Sequence, residues 1–177
     1  GALGALIYRE GACTVSTSAT LSTGDDGLGY FRGRVGADAV RALRIGSPFD
    51  YNRQMELHLV SKMPEPKAPG YEEELAKWIL HFTGESRARA FVLFTSYATM
   101  RAVAERVGDG IAERGWRLLV QGAGMPPQVM VREFRDDPQS VLFGVSSFWT
   151  GVDVPGEALS SVIIARLPFA TPDDPLT

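Results

Sequence analysis

Apolar positions recur along this chain with two different periods, and each change of period marks an element. Ala90 to Phe94 (AFVLF) is a short apolar run and predicts a buried strand. Tyr97 to Arg114 then places Met100, Val103, Val107 and Ile111 on one face, the spacing of a helix. Arg117 to Val120 predicts a strand, Gln128 to Asp136 a helix, Ser140 to Val145 (SVLFGV) a strand and Ser161 to Ala165 (SVIIA) another. Just upstream, Leu75, Ile79 and Phe82, with Trp78 and Leu80 beside them, predict a helix over Tyr71 to Phe82. Its first turn carries Glu72, Glu73 and Glu74, where acidic side chains favour the helix dipole.

The first part of the chain is less regular. Gly11 to Thr17 (GACTVST) reads as a short buried strand of small and β-branched residues. Ser22 to Gly46 is glycine-rich and irregular. Gln54 to Ser61 (QMELHLVS) alternates apolar and polar, the pattern of a half-buried strand, and Met63 to Gly70, with Pro64, Pro66 and Pro69, reads as a loop. Strands alternating with helices imply right-handed crossovers and an α/β fold whose mostly parallel sheet is covered on both faces. In such folds ligands bind at the carboxyl ends of the strands. Three loops therefore matter: TSATL from Thr17, TSYATM from Thr95, and SSFWTGVDVPG from Ser146.

Composition narrows the choice of partner. The 177 residues, 45% hydrophobic and 22% charged, suit one ordinary packed domain. A net charge of −3 argues against a strong, independent nucleic-acid binder. Yet all of the 18 basic residues except Lys62, Lys67 and Lys77 are arginine, the side chain suited to forked phosphate contacts. Arg32, Arg34, Arg41 and Arg44 fall in one segment, and Arg87 and Arg89 in another; for any single arginine a solvated surface is the favoured reading. Cys13 is the sole cysteine, so the chain can form no internal disulfide or four-thiolate metal site. His58 and His81 lack ligand spacing, and no metal ligand is expected. No apolar run is long enough to span a bilayer, and the start has no signal-like core; a soluble, cytoplasmic setting is expected.

Candidate chemistry sits at the strand ends. Thr95-Ser96-Tyr97 follows AFVLF directly and opens the long helix, where a hydroxyl can cap and free N–H groups can hold an anion. Ser146 and Ser147 stand at the equivalent end of SVLFGV, and the two strand ends together could hold two successive phosphates of a nucleic-acid strand; plain capping remains open for each. In GVDVPG, Gly151, Pro155 and Gly156 restrict the turn that presents Asp153, a carboxylate able to accept from ribose hydroxyls or from the turn's own N–H groups. Phe148 and Trp149 read as base-stacking rings or as core. Gly122-Ala123-Gly124 is a turn, because Pro127 stands where a dinucleotide loop needs its third glycine. No GxxxxGK[ST] loop occurs.

TSATL (Thr17 to Leu21), SPFDY (Ser47 to Tyr51) with Gln54, LFTSY (Leu93 to Tyr97), Gln121-Gly122, SFWTGVDVPGEAL (Ser147 to Leu159) and RLPFATPDDP (Arg166 to Pro175) occur in that order. Together they resemble the DinG family, DinG/XPD-type superfamily 2 DNA helicases. The resemblance implies a RecA-like three-layer domain of the P-loop NTPase fold, the second motor domain, lacking its own Walker A loop. It implies that residues 1–46 are the end of the first motor domain and a connecting segment, with Ser18, Ala19 and Thr20 of motif III coupling nucleotide state to DNA grip. Residues 47–177 are then the second motor domain, ending before motif VI. LFTSY corresponds to motif IV and SFWTGVDVPG to motif V, so that Thr95, Ser96, Tyr97, Ser147 and Phe148 lie on the DNA side. Gly151 and Asp153 face the ATP cleft.

Thr150 stands where the family often has glutamate. Of the full-length protein, the resemblance implies ATP with Mg²⁺, single-stranded DNA as partner, 5′ to 3′ movement and a role in DNA repair or replication. The phosphate loop, the DEAH-type box and any iron–sulphur cysteines belong to the first motor domain, and this chain alone carries no catalytic residue. Two other readings are a non-catalytic nucleic-acid-binding or interaction module and the DinG-like region of an exonuclease.

Overall fold

The computed structural model describes residues 6–8, 11, 13–18, 21–22, 28–37 and 39–169. By internal contacts the chain divides into two compact units, Gly1–His58 and Leu59–Thr177.

The first unit has helix α1 (Gly29–Val35) and a single helical turn, α2 (Tyr51–Gln54). Gly36 closes α1 at φ 70°, a conformation a residue without Cβ adopts at little cost. Among the described residues of Gly11–Thr17 the expected strand does not form. Residues 13–18 lack regular structure and Val15 is 80% exposed. The strand expected over Gln54–Ser61 is corrected too. Gln54 ends α2, and residues 55–61 pair with no strand, with Met55, Leu57 and Leu59 all exposed. Alternation prepares a segment for a sheet, but a strand exists only when a neighbour takes its N–H and C=O groups. Among the described residues neither segment has one.

In the second unit the alternation of strands and helices is realised. Helix α3 (Tyr71–Glu85) leads into β1 (Ala90–Leu93), α4 (Tyr97–Ala112), β2 (Arg117–Val120), α5 (Pro127–Asp136), β3 (Ser140–Gly144) and β4 (Ser161–Ile164). All strands are parallel, in the order β2-β3-β1-β4. The resulting three layers follow from the strand period of two. Ala90, Val92, Phe94, Val141 and Phe143 face Leu75 and Ile79 of α3 and Met100, Val103, Val107 and Ile111 of α4. Phe91, Leu93, Leu119 and Leu142 face Met130 and Phe134 of α5. The arrangement is an α/β, RecA-like fold.

Small differences at the element ends have local causes. Helix α3 runs on to Glu85 because Thr83 and Ser86 donate their hydroxyls back to the carbonyls of Ile79 and Phe82, at 2.7 and 3.0 Å. Helix α5 begins at Pro127 rather than Gln128, since a first-turn proline forfeits no helical hydrogen bond. Helix α4 stops at Ala112, where Gly115 at φ 71° turns the chain and Trp116 donates back to Ile111. Among the described residues no helix is long and apolar enough to cross a membrane.

Candidate functional site

Parallel pairing brings every carboxyl strand end to one edge. Leu93 lies beside Gly144 and Ile164, and Val120 beside Phe143. The residues leaving these ends are Thr95-Ser96-Tyr97, Gln121-Gly122, Ser146 to Trp149, and Ala165-Arg166.

At the exit of β1 the backbone turns straight into α4. Ser96 is extended (φ −143°, ψ 132°), and its hydroxyl accepts from the Thr99 N–H at 3.5 Å, a long cap. Thr95 is exposed, and Tyr97 is 44% exposed. The Arg101 guanidinium, one helical turn on, lies 5.9 Å from the Tyr97 ring centroid. Gly122, at φ +86°, comes so close that a Cβ there would lie 3.6 Å from the Tyr97 ring and 3.7 Å from Arg101 Nη2. A cation thus joins the exits of β1 and β2. Sequence reasoning missed Arg101, although its i, i+4 spacing from Tyr97 was available.

At the exit of β3 the chain makes a 3₁₀ turn, Ser146–Phe148. Phe148 was a candidate DNA contact, and its placement corrects that expectation. Its side chain is 3% exposed, meets Phe91 edge-on at 6.5 Å and lies over Gly144, while its N–H is donated to the Val145 carbonyl at 2.7 Å. Neither ring nor amide is left for a base. Trp149 is half-buried and donates its indole N–H to the Phe94 carbonyl at 3.0 Å, tying this exit to that of β1. Ser147 is exposed.

Buried Gln121 holds the same exit from β2. Its Oε1 accepts from the Val145 N–H and its Nε2 donates to Ser147 Oγ, both at 2.8 Å. These partners lie more than twenty positions away in sequence, which is why the residue types around Gln121 carried no local signal of this role.

Beyond Trp149 the turn has Gly151 at φ +75°, Pro155 at φ −71° and Gly156 at φ +78°. Val152 and Val154 pack on the core, and Asp153 between them is exposed. Arg135 Nη2 of α5 grips the Asp153 carbonyl at 2.9 Å, so the backbone is anchored while the carboxylate accepts no turn N–H among the described residues. A carboxylate in that state suits a ligand hydroxyl. Phe94, Thr95, Trp149, Arg166, Leu167, Pro168 and Phe169 line an open cavity of about 530 Å³ between the exits of β1 and β4. There Tyr71 donates its hydroxyl to the Ala165 carbonyl at 3.2 Å. Burial raises its phenol pKa above the ordinary value; nearby Arg166 opposes this and Glu72 adds to it.

Of the residues expected to couple nucleotide state to DNA grip, Ser18 is exposed in the first unit, while Ala19 and Thr20 lie outside the described residues, as does the end of RLPFATPDDP from Ala170. Among the described residues no group of three or more His, Cys, Asp or Glu could hold a metal ion.

Residues 79–177 match the model of the helicase C-terminal domain. The chain belongs to the helicase C-terminal domain family. It is 40% identical over 171 residues to the ATP-dependent DNA helicase YoaA of Escherichia coli, an alignment covering 97% of this chain and 26% of that protein. It is also 36% identical over 169 residues to the ATP-dependent helicase DinG of Mycobacterium tuberculosis, covering 93% of this chain and 25% of the relative. With the 3'-5' exonuclease DinG of Bacillus subtilis the identity is 34% over 168 residues, covering 92% and 18%. This helicase C-terminal domain therefore spans about a quarter or less of the length of these curated relatives.

Proposed function

We propose that this chain is part of a longer, cytoplasmic ATP-dependent DNA helicase of the DinG type, acting in DNA repair or replication. Its sheet edge grips the phosphates of single-stranded DNA. One observation carries the reading: two hydroxyl-bearing strand exits, at Thr95-Ser96 and Ser147, are tied to each other across one edge by the Trp149–Phe94 hydrogen bond. Arg101 supplies charge beside them. Residues 1–46 are then the end of the first motor domain with its coupling segment around Ser18, Ala19 and Thr20, and residues 47–177 the second motor domain. Gly151 and Asp153 face the ATP, Asp153 as acceptor for a ribose hydroxyl. ATP supplies the driving reaction. The phosphate cradle and Mg²⁺ ligands it requires come from the first motor domain.

A salt titration of labelled single-stranded oligonucleotide anisotropy, on the full-length protein, tests the grip. Phosphate contacts lose affinity as salt rises because counterions are released on binding. Thr95→Ala with Ser147→Ala should weaken binding at every base sequence alike. Binding that ignores salt, or is unchanged in the double variant, moves the DNA path elsewhere. In the same protein Asp153→Ala should lower ATP turnover with its melting temperature unchanged; a large melting loss with normal nucleotide affinity would make Asp153 a turn residue only. The name of the Bacillus subtilis relative keeps a second reading in view, a longer polypeptide that also carries an exonuclease. An acidic exonuclease triad upstream in the full-length sequence distinguishes it.

A further inference from the structure

Gln121 is a polar side chain that the fold has buried, and burying an amide is unfavourable unless both of its ends are hydrogen-bonded. Both are, and the chemistry of one fixes the other. The Val145 N–H can only donate, so the atom 2.8 Å from it must be the amide oxygen. The NH₂ group is thereby turned to Ser147 Oγ, also at 2.8 Å. It has no acceptor capacity, so the serine oxygen must accept. Ser147 then cannot spend its own proton on Gln121. That proton is left for another acceptor, and Ser147 is on the exposed side of the turn.

We infer that Gln121 is a positioning residue that sets the polarity of Ser147, making its hydroxyl an outward donor for an acceptor-only ligand, a non-bridging phosphate oxygen. This rests on the phosphate-grip reading above. A hydroxyl with both options open can waste its proton on a neighbouring carbonyl or carboxylate; one lone pair occupied by an amide N–H leaves the proton to the ligand. The same side chain, through Val145, fixes where the turn stands. Gly122, the next residue, is packed beside Tyr97 and Arg101, so the device lies next to the cation that would share the anion.

The test is Gln121→Glu, alone and with Ser147→Ala, in the full-length protein, with labelled single-stranded oligonucleotide as probe. A glutamate carboxylate still accepts from the Val145 N–H, but it can accept from Ser147 and not donate to it, so the serine proton is drawn inward. Hydrogen exchange across residues 142–148 should stay slow, showing that the exit keeps its shape. Affinity should fall about tenfold in Gln121→Glu and in Ser147→Ala, the worth of one hydrogen bond to a charged group, and no further in the double variant. Additive losses would mean that the new charge acts on DNA without Ser147, and the assignment fails. Fast exchange together with lost binding would make Gln121 a structural brace and overturns it equally. If Ser147→Ala itself binds normally, the phosphate grip at this exit falls, and the polarity argument falls with it.

Discussion

The exits of β1 and β3 carry the same kinds of residue at matching positions of one parallel sheet, yet they are held by different means. After β1 a helix begins at once, and Ser96 caps it from within the same few residues. After β3 only a 3₁₀ turn follows. Apart from the Phe148 N–H on the Val145 carbonyl, its fixed points are remote: Gln121 on Val145 and Ser147, Phe91 against the Phe148 ring, and the Phe94 carbonyl at the Trp149 indole N–H. One exit is a local structure, and the other exists only within the assembled sheet. The difference teaches that two serines at matching positions can be held in the same accepting role by donors of different range. Ser96 Oγ accepts from its own helix, whereas the polarity of Ser147 is set from another strand.

Four substitutions would break or sharpen the contrast. Phe148→Ala should cost about 3–5 kcal/mol of unfolding free energy, since it empties a ring-sized space between Phe91 and Gly144, and chemical denaturation would measure it. A loss below about 1 kcal/mol would mean that the ring does not hold this exit. Gly144→Ala comes next. The new methyl would stand 2.7 Å from Phe148 Cβ and Cγ, and overpacking of that kind costs about 1–3 kcal/mol. Pairing it with Phe148→Ala should recover only part of the loss, because the contacts with Cγ and Cδ2 go with the ring while the one with Cβ stays.

At the β1 exit, Ser96→Ala should cost only about 0.5–1 kcal/mol, the low end for a cap, because its hydrogen bond is 3.5 Å long. If it matched the β3-exit variants, the local-versus-remote distinction would collapse.

The smallest effect is expected at the end of β4, where Tyr71→Phe removes the hydrogen bond to the Ala165 carbonyl. It should cost at most about 1 kcal/mol at neutral pH. The folded phenol has a raised pKa, so the folded state binds its proton more firmly than the unfolded chain does. Its contribution is therefore complete below the unfolded value of about 10 and is lost as pH rises through the folded value. Between those two values the wild-type protein should lose stability more steeply than Tyr71→Phe, as read from denaturation midpoints across the alkaline range.

What was legible in the sequence followed interaction range. From Tyr71 to Ile164 the apolar periods located every α-helix and strand to within a few residues, because each element buries a face whose residues are close neighbours along the chain. The hydroxyls at Thr95, Ser96 and Ser147 and the restricted turn around Asp153 were equally visible, since glycine, proline and capping residues act within a few positions. GACTVST and QMELHLVS had the right residue types and still formed no strand. Pairing depends on whether another segment offers its backbone, and no local pattern records that.

The site divides along the same line. Sequence by itself determined which groups stand at the strand ends: donors at Thr95, Ser96 and Ser147, a carboxylate at Asp153, and aromatics at Phe148 and Trp149. Only the tertiary structure decided their use. It withdrew Phe148 into the core, tied Trp149 to the far side of β1, set Arg101 against Tyr97, and turned the Gln121 amide toward Ser147. The reason is that a side chain's type is covalent and local, whereas its burial and hydrogen-bond partner are set by strands that meet only when the sheet closes.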